Sequence, residues 1–202
     1  MYALITDGSI SKFINHPKAM VIGDTQYPAK IFQLWSTSEL NAIGIYEVVF
    51  DDSNKKDEQW YINTNQSFAF ADGTVTASYG TATPKAHADT LWTAQDETDG
   101  KGTEGEVATR GLKYNLIQTL KQQVAGILSD TDWYITRNAE KSTAIPSAIS
   151  TYRDSVRTKQ ASMETAITNA SNTPALETLY TYTTDSEGVQ SRPLGELPTL
   201  EN

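Results

Sequence analysis

Three arginines and one tryptophan are the side chains whose types and spacing stand out. Arg153 and Arg157 are four residues apart and share a face if the segment is helical, so their guanidinium groups suit a carboxylate or a pair of carbonyls on a partner. Arg137 lies four residues beyond Trp133 and joins them as a candidate partner-binding residue. The competing role is internal pairing with Asp130, Asp132 or Glu140. Trp133 reads as the apolar keystone of a helical corner, with Tyr152 and Pro146 shaping the same corner.

Catalytic constellations are harder to find. His16 precedes a proline and His87 lies in a polar stretch, each far in sequence from a nucleophile or a second ligand. No glycine-rich phosphate loop follows a strand-like segment, and Gly100 and Gly102 sit among acidic residues. Aligning Gly100 with the invariant glycine of a calcium loop puts Asp99 and Glu106 at ligand positions, but Gln95 then occupies the first position, where an anion is needed. Asp51, Asp52, Asp57 and Glu58 read as a charged turn partly neutralised by Lys55 and Lys56. A glycan hydrolase would need two carboxylates facing each other across a cleft, and the acids here concentrate in turns and a linker. Neither a metal site nor a cofactor site is expected, and the absence of cysteine excludes disulfides and thiolate ligands.

The elements that must position these residues fall into an α+β plan. Residues 1–79 read as a small antiparallel β-module with one short helix. Asp7-Gly8 and Asp72-Gly73 mark hairpin turns, Ser36 and Glu39 have capping-box spacing, and Gly44 suits a helix end. Ile45–Phe50 is expected as a strand with Gln59–Asn63 as its partner, and Ile31–Trp35 as an apolar cluster in the core. Residues 80–106 read as an acidic linker in which Leu91-Trp92 must dock somewhere. Residues 107–170 show helical periodicity: Leu112, Leu116, Leu120 and Val124 on a first helix, then a short helix near 132–141. A third follows Pro146 with Ile149, Tyr152, Val156, Met163 and Ile167. This predicts a helical hairpin or three-helix module. Residues 171–202 are expected to form a short turn of helix at Thr173-Pro174, a strand over 178–184, a hairpin, and an extended tail that needs a surface to lie on.

Charge limits the partners. The 202-residue chain has net charge −9, which opposes a phosphate backbone and argues against a nucleic-acid role. Residues 1–106 carry −8, 107–170 carry +3 and 171–202 carry −4, so only the helical region is positive. The first residues are too short in apolar run for a signal peptide, and no stretch is long enough to span a bilayer, so no membrane partner is expected.

Within this frame the segment Leu128-Ser-Asp-Thr-Asp-Trp133, followed by Arg137, Ala139-Glu140, Pro146, Tyr152-Arg153 and Val156-Arg157, resembles the carboxy-terminal region of phage tail assembly chaperones. Gly111–Ile117 is similar to the helix that members from marine and cyanobacterial phages place before it. The stretch 31–48 is similar to the small β-module that precedes this region in tail-fibre-associated phage proteins. The resemblance implies a non-enzymatic protein that binds tail or tail-fibre subunits during assembly, working in the host cytoplasm. The alternative it allows is a permanent component of the virion tail, such as a fibre adaptor or baseplate-associated protein. Its helical module would present Arg137, Arg153 and Arg157 to the partner, and its β-module a second contact or a homo-oligomer interface.

Overall fold

A computed structural model describes residues 1–200; the last two residues of the expected tail, Glu201 and Asn202, lie outside the described residues. The chain divides into two compact units, residues 1–83 and 84–202, each with its own core.

The first unit begins with β1 (Tyr2–Thr6) and β2 (Ser9–Ile14), joined by Asp7 and Gly8 at φ 51° and 73°, the left-handed pair that a tight hairpin requires. A second small hairpin, β3 (Met20–Ile22) and β4 (Thr25–Tyr27), continues up to the proline that ends it. Two short helices follow, α1 (Ile31–Leu34) and α2 (Thr37–Ala42), where one was expected. The capping box forms: Ser36 Oγ accepts from the Glu39 amide, and the Ser36 amide donates to the Glu39 carboxylate at 2.7 Å. Gly44 ends the helix at φ 81°, and a side chain there would meet the Ile5 carbonyl at 2.7 Å, so only glycine fits.

Strand β5 (Ile45–Asp51) lies at the centre of a five-stranded sheet, in the order β2-β1-β5-β8-β7. Here β7 (Ser67–Ala71) and β8 (Thr74–Ser78) form the hairpin about Asp72-Gly73. The sheet is not wholly antiparallel, because β5 and β8 pair in parallel with Val48 opposite Val75. The intervening chain is long enough to return to the starting end of the sheet, and the buried valines fix the register. Only Tyr61–Ile62 of the expected partner segment is a strand, β6, and it is not a neighbour of β5 in the sheet. Trp60 and Tyr61 are nonetheless buried.

The sheet curls until its two edges meet, with the Phe13 ring on β2 4.6 Å from the Phe68 ring on β7. Small residues permit the curl: Ala3, Val48, Val75 and Ala77 fill one face, flanked by Tyr46 and Phe70. The other face packs Ile14 and Ile45 against Met20, Ile31 and Leu40.

The second unit starts within the expected linker, which is built into the fold rather than spanning between modules. After β9 (Thr83–Pro84), β10 (Thr90–Leu91) pairs with β11 (Val107–Thr109), and α3 (Ala94–Thr98) lies between them. Trp92 docks over Gly102, whose missing side chain makes room for the indole, while Leu91 stays about half exposed. Helix α4 (Leu112–Ser129) begins five residues later than the periodicity predicts, because Val107 to Thr109 pair as a strand.

Helices α5 (Asp132–Lys141), α6 (Ser147–Asn169) and α7 (Thr173–Tyr180) follow. The core of this unit includes Leu120 and Val124 from α4, Ile149, Val156, Met163 and Ile167 from α6, and Leu176 from α7. Asn172 caps α7, accepting from the Ala175 amide, and the helix continues to Tyr180 where a strand was expected. Buried Thr173 donates to the Lys85 carbonyl at 2.6 Å. The strand is confined to β12 (Thr183–Thr184), paired with β13 (Gln190–Ser191). The tail finds its surface in its own unit: Leu194 is buried, and its amide donates to the Leu179 carbonyl.

Candidate interaction surface

The corner between α4, α5 and α6 gathers the residues singled out by sequence and exchanges two of their roles. The stripe Ile149, Val156, Met163 and Ile167 turns one face of α6 inward, and the intermediate position on that face is Arg153. Its side chain is only 8% exposed. Nη1 donates to the Leu128 carbonyl at 2.8 Å and to Thr131 Oγ1 at 2.6 Å, and Nη2 pairs with Asp132 Oδ1 at 2.8 Å. Arg153 is therefore an internal clasp and not a residue that can grip a partner. The helical spacing of Arg153 to Arg157 by itself suggests a shared outward face. Its place in the 4-3 rhythm of the buried stripe is the signal that points inward.

The clasp also changes the start of α5. Thr131 stands at the cap position of α5 yet makes no side-chain cap bond. Its hydroxyl faces inward, donating to the Leu128 carbonyl at 3.0 Å while accepting from Arg153. The guanidinium thus sits between the carbonyl end of α4 and the first-turn carboxylate of α5, both of which favour a cation there.

Trp133 is 51% exposed, so it is not the keystone of the corner. Its ring stacks on neighbouring Tyr134 with centroids 3.9 Å apart, and the Arg137 guanidinium lies over it at 5.7 Å. Ile135 is also exposed, and α5 contains no buried residue at all. Arg157 is exposed too, with a one-turn contact to Asp154 at 3.3 Å that competes only weakly with a partner. Pro146 stands at the cap position of α6, one residue before its first turn, and its carbonyl accepts from the Ile149 and Ser150 amides. Tyr152 is half-buried and lines an open groove of about 430 Å³ with Ser147, Ser155, Pro198 and Leu200.

Elsewhere the charged groups hold the fold together. Asp89 accepts from the Gly111 amide at 2.8 Å and from Arg110 at 2.6 Å, and these bonds, the amide first, hold its carboxyl below the usual range. A side chain at Gly111 would collide with the Ala88 backbone, which brings the start of α4 close enough for Leu112 and Lys113 to donate to the Ala86 and His87 carbonyls. No sequence pattern announced this cluster, because Asp89 and Arg110 are 21 residues apart.

In the acidic loop, Thr93 and Asp96 form a capping box, and the Lys101 ammonium lies 3.1 Å from both Asp96 and Asp99. Hydrogen bonds from Thr93, then from Lys101, lower the Asp96 carboxyl to about 2. The lysine neutralises both carboxylates. Among the described residues no group of three or more His, Cys, Asp or Glu side chains is arranged to hold a metal ion, and no helix is long and apolar enough to cross a membrane.

What the corner offers chemically is a stacked tryptophan–tyrosine pair capped by an arginine on a projecting helix, with a further exposed arginine on α6. No protein-family model, no curated protein and no solved structure matches the chain.

Proposed function

We propose that this chain is a non-enzymatic phage protein that binds tail or tail-fibre subunits during assembly in the host cytoplasm, with α5 and Arg157 as its contact residues. The observation that carries the binding part is the exposed Trp133 and Arg137, stacked with half-buried Tyr134 on a helix with no fully buried residue. Aromatic rings and arginine are the side chains that contribute most when an interface closes over them, the rings because they bury large areas with few rotors to immobilise and arginine because its planar fork makes several directed hydrogen bonds at once. The tail-assembly part rests on the resemblance of residues 128–157 to the chaperone family. Arg137 and Arg157 keep the roles assigned from sequence, Trp133 joins them, and Arg153 supports the corner from within.

The test is co-purification of the tagged chain with tail and fibre proteins of the phage that encodes it. Recovery of a tail or fibre protein is expected, and Trp133→Ala with Arg137→Ala lowers it by about tenfold or more, the loss typical of an interface centre. Unchanged recovery from a folded double variant removes α5 from the interface. Failure of any tail or fibre protein to accompany the wild-type chain overturns the assembly role. Mass spectrometry of purified particles separates a departing chaperone, absent or trace, from a stoichiometric tail component.

A further inference from the structure

Helix α5 is held differently from the helices around it. A ten-residue helix in water is ordinarily kept folded by the face it buries, and α5 has no fully buried residue, with only Tyr134 partly covered. Its tether is concentrated at the first turn, where Arg153 reaches from α6 to the Leu128 carbonyl, Thr131 Oγ1 and Asp132 Oδ1. At the far end Ser142 closes the helix in the left-handed conformation at φ 53°, and Asn138 Nδ2 donates to the Thr143 carbonyl at 2.8 Å. Those bonds tie α5 to its own exit loop rather than to α4 or α6.

We propose that α5 is a hinged arm, latched by the Arg153–Asp132 pair, which opens and closes as one piece while α4, α6 and α7 stay packed. The two sides of the latch are unequal. Arg153 is buried and permanently charged, and when Asp132 leaves it retains the Leu128 carbonyl at the end of α4. The Asp132 side chain is already 59% exposed, so water screens its attraction to Arg153 and takes up the freed carboxylate, and breaking the pair costs little. Thr131, turned toward Arg153, leaves the first amides of α5 without a side-chain cap, which weakens the arm further. Opening carries the Trp133–Tyr134–Arg137 stack with it, whatever partner that stack meets.

Hydrogen exchange of the full chain, resolved by mass spectrometry or NMR, tests this directly. The amides of residues 136–141 are expected to exchange at least about 100-fold faster than those near Leu120–Val124 and Val156–Met163, because a ten-residue helix freed of its latch does not hold its own hydrogen bonds in water, and that local opening needs far less free energy than unpacking the core. Asp132→Asn, which preserves size and removes the charge, is expected to speed exchange in α5 by a further two- to fivefold, roughly the loss of one partly exposed ion pair, with α4 and α6 unchanged. Arg153→Met is a second route to the unlatched arm. Protection of α5 equal to that of α6 overturns the hinge. An Asp132→Asn variant with unchanged α5 exchange, or with α4, α5 and α6 accelerated together, overturns the latch.

Discussion

Arg153 and Trp133 show how a residue's role depends on where a helix points it. A buried guanidinium is stable only when its donors are matched, and three of its hydrogens find the Leu128 carbonyl, Thr131 and Asp132, while Nε remains buried without a partner. Truncation leaves a void and removes the charge that complements the end of α4. Arg153→Ala is therefore expected to lower stability by about 3 kcal/mol in urea unfolding, near the low end for breaking a buried charge cluster because Asp132 regains water. Arg153→Met, which refills the volume, is expected to recover more than half of that loss. Equal stability of Arg153→Ala and wild type would mean that the clasp does not hold the corner. Trp133→Ala, by contrast, changes an exposed ring and is expected to leave stability nearly unchanged.

At the scale of elements, local chemistry was legible wherever the partner lies within one turn. Ser36 and Glu39 announced their capping box, and Asp7-Gly8 and Asp72-Gly73 announced their hairpins. The start of α4 was not legible, because it depends on the Ala86 and His87 carbonyls and on Asp89, all brought to it by the β10–β11 pairing. The acidic loop lies between these cases: the Thr93–Asp96 spacing is local, while the Lys101 ammonium reaches both Asp96 and Asp99 only once the loop has turned back. Asp96 has a folded-state value of about 2, below its ordinary 3.8. Its stabilising contribution is thus complete above the ordinary value and is lost as pH falls through the folded one. A carboxylate NMR titration of Asp96 is expected to show a midpoint near 2, moving upward in Thr93→Ala as the hydroxyl bond is lost. A wild-type midpoint at 3.8 would contradict the cap.

At the scale of the whole molecule, the α+β division into a β-rich first part and a helical second part follows from hydrophobic period, and the structure has that order. Each unit has its own core, so each has its own sensitive positions. Ile45 in the first and Ile167 in the second are both fully buried, and Ile45→Ala or Ile167→Ala is expected to destabilise its unit by about 2–5 kcal/mol. Amide exchange checks this, in β1 and β5 for Ile45→Ala and in α4 and α6 for Ile167→Ala. Unchanged protection would show that the residue does not anchor its unit's core. Residues 80–106 were read as a linker because threonine, glycine and acidic residues dominate them. Strand β10 and a capped helix form there because β11 lies across from β10 and Trp92 finds Gly102.

Period, caps and turn dipeptides act over three or four residues, and from them come the strands about Asp7-Gly8 and Asp72-Gly73, the helices from 112 to 169 and the α+β order. Parallel pairing of β5 with β8, burial of Arg153 and exposure of Trp133 arise from segments more distant in the chain. The burial of one side chain on an amphipathic helix depends on which neighbour covers that face. On α6 the cover comes from the end of α4 and the start of α5, 21 to 25 residues earlier, and it turned an expected partner contact into the clasp of the corner.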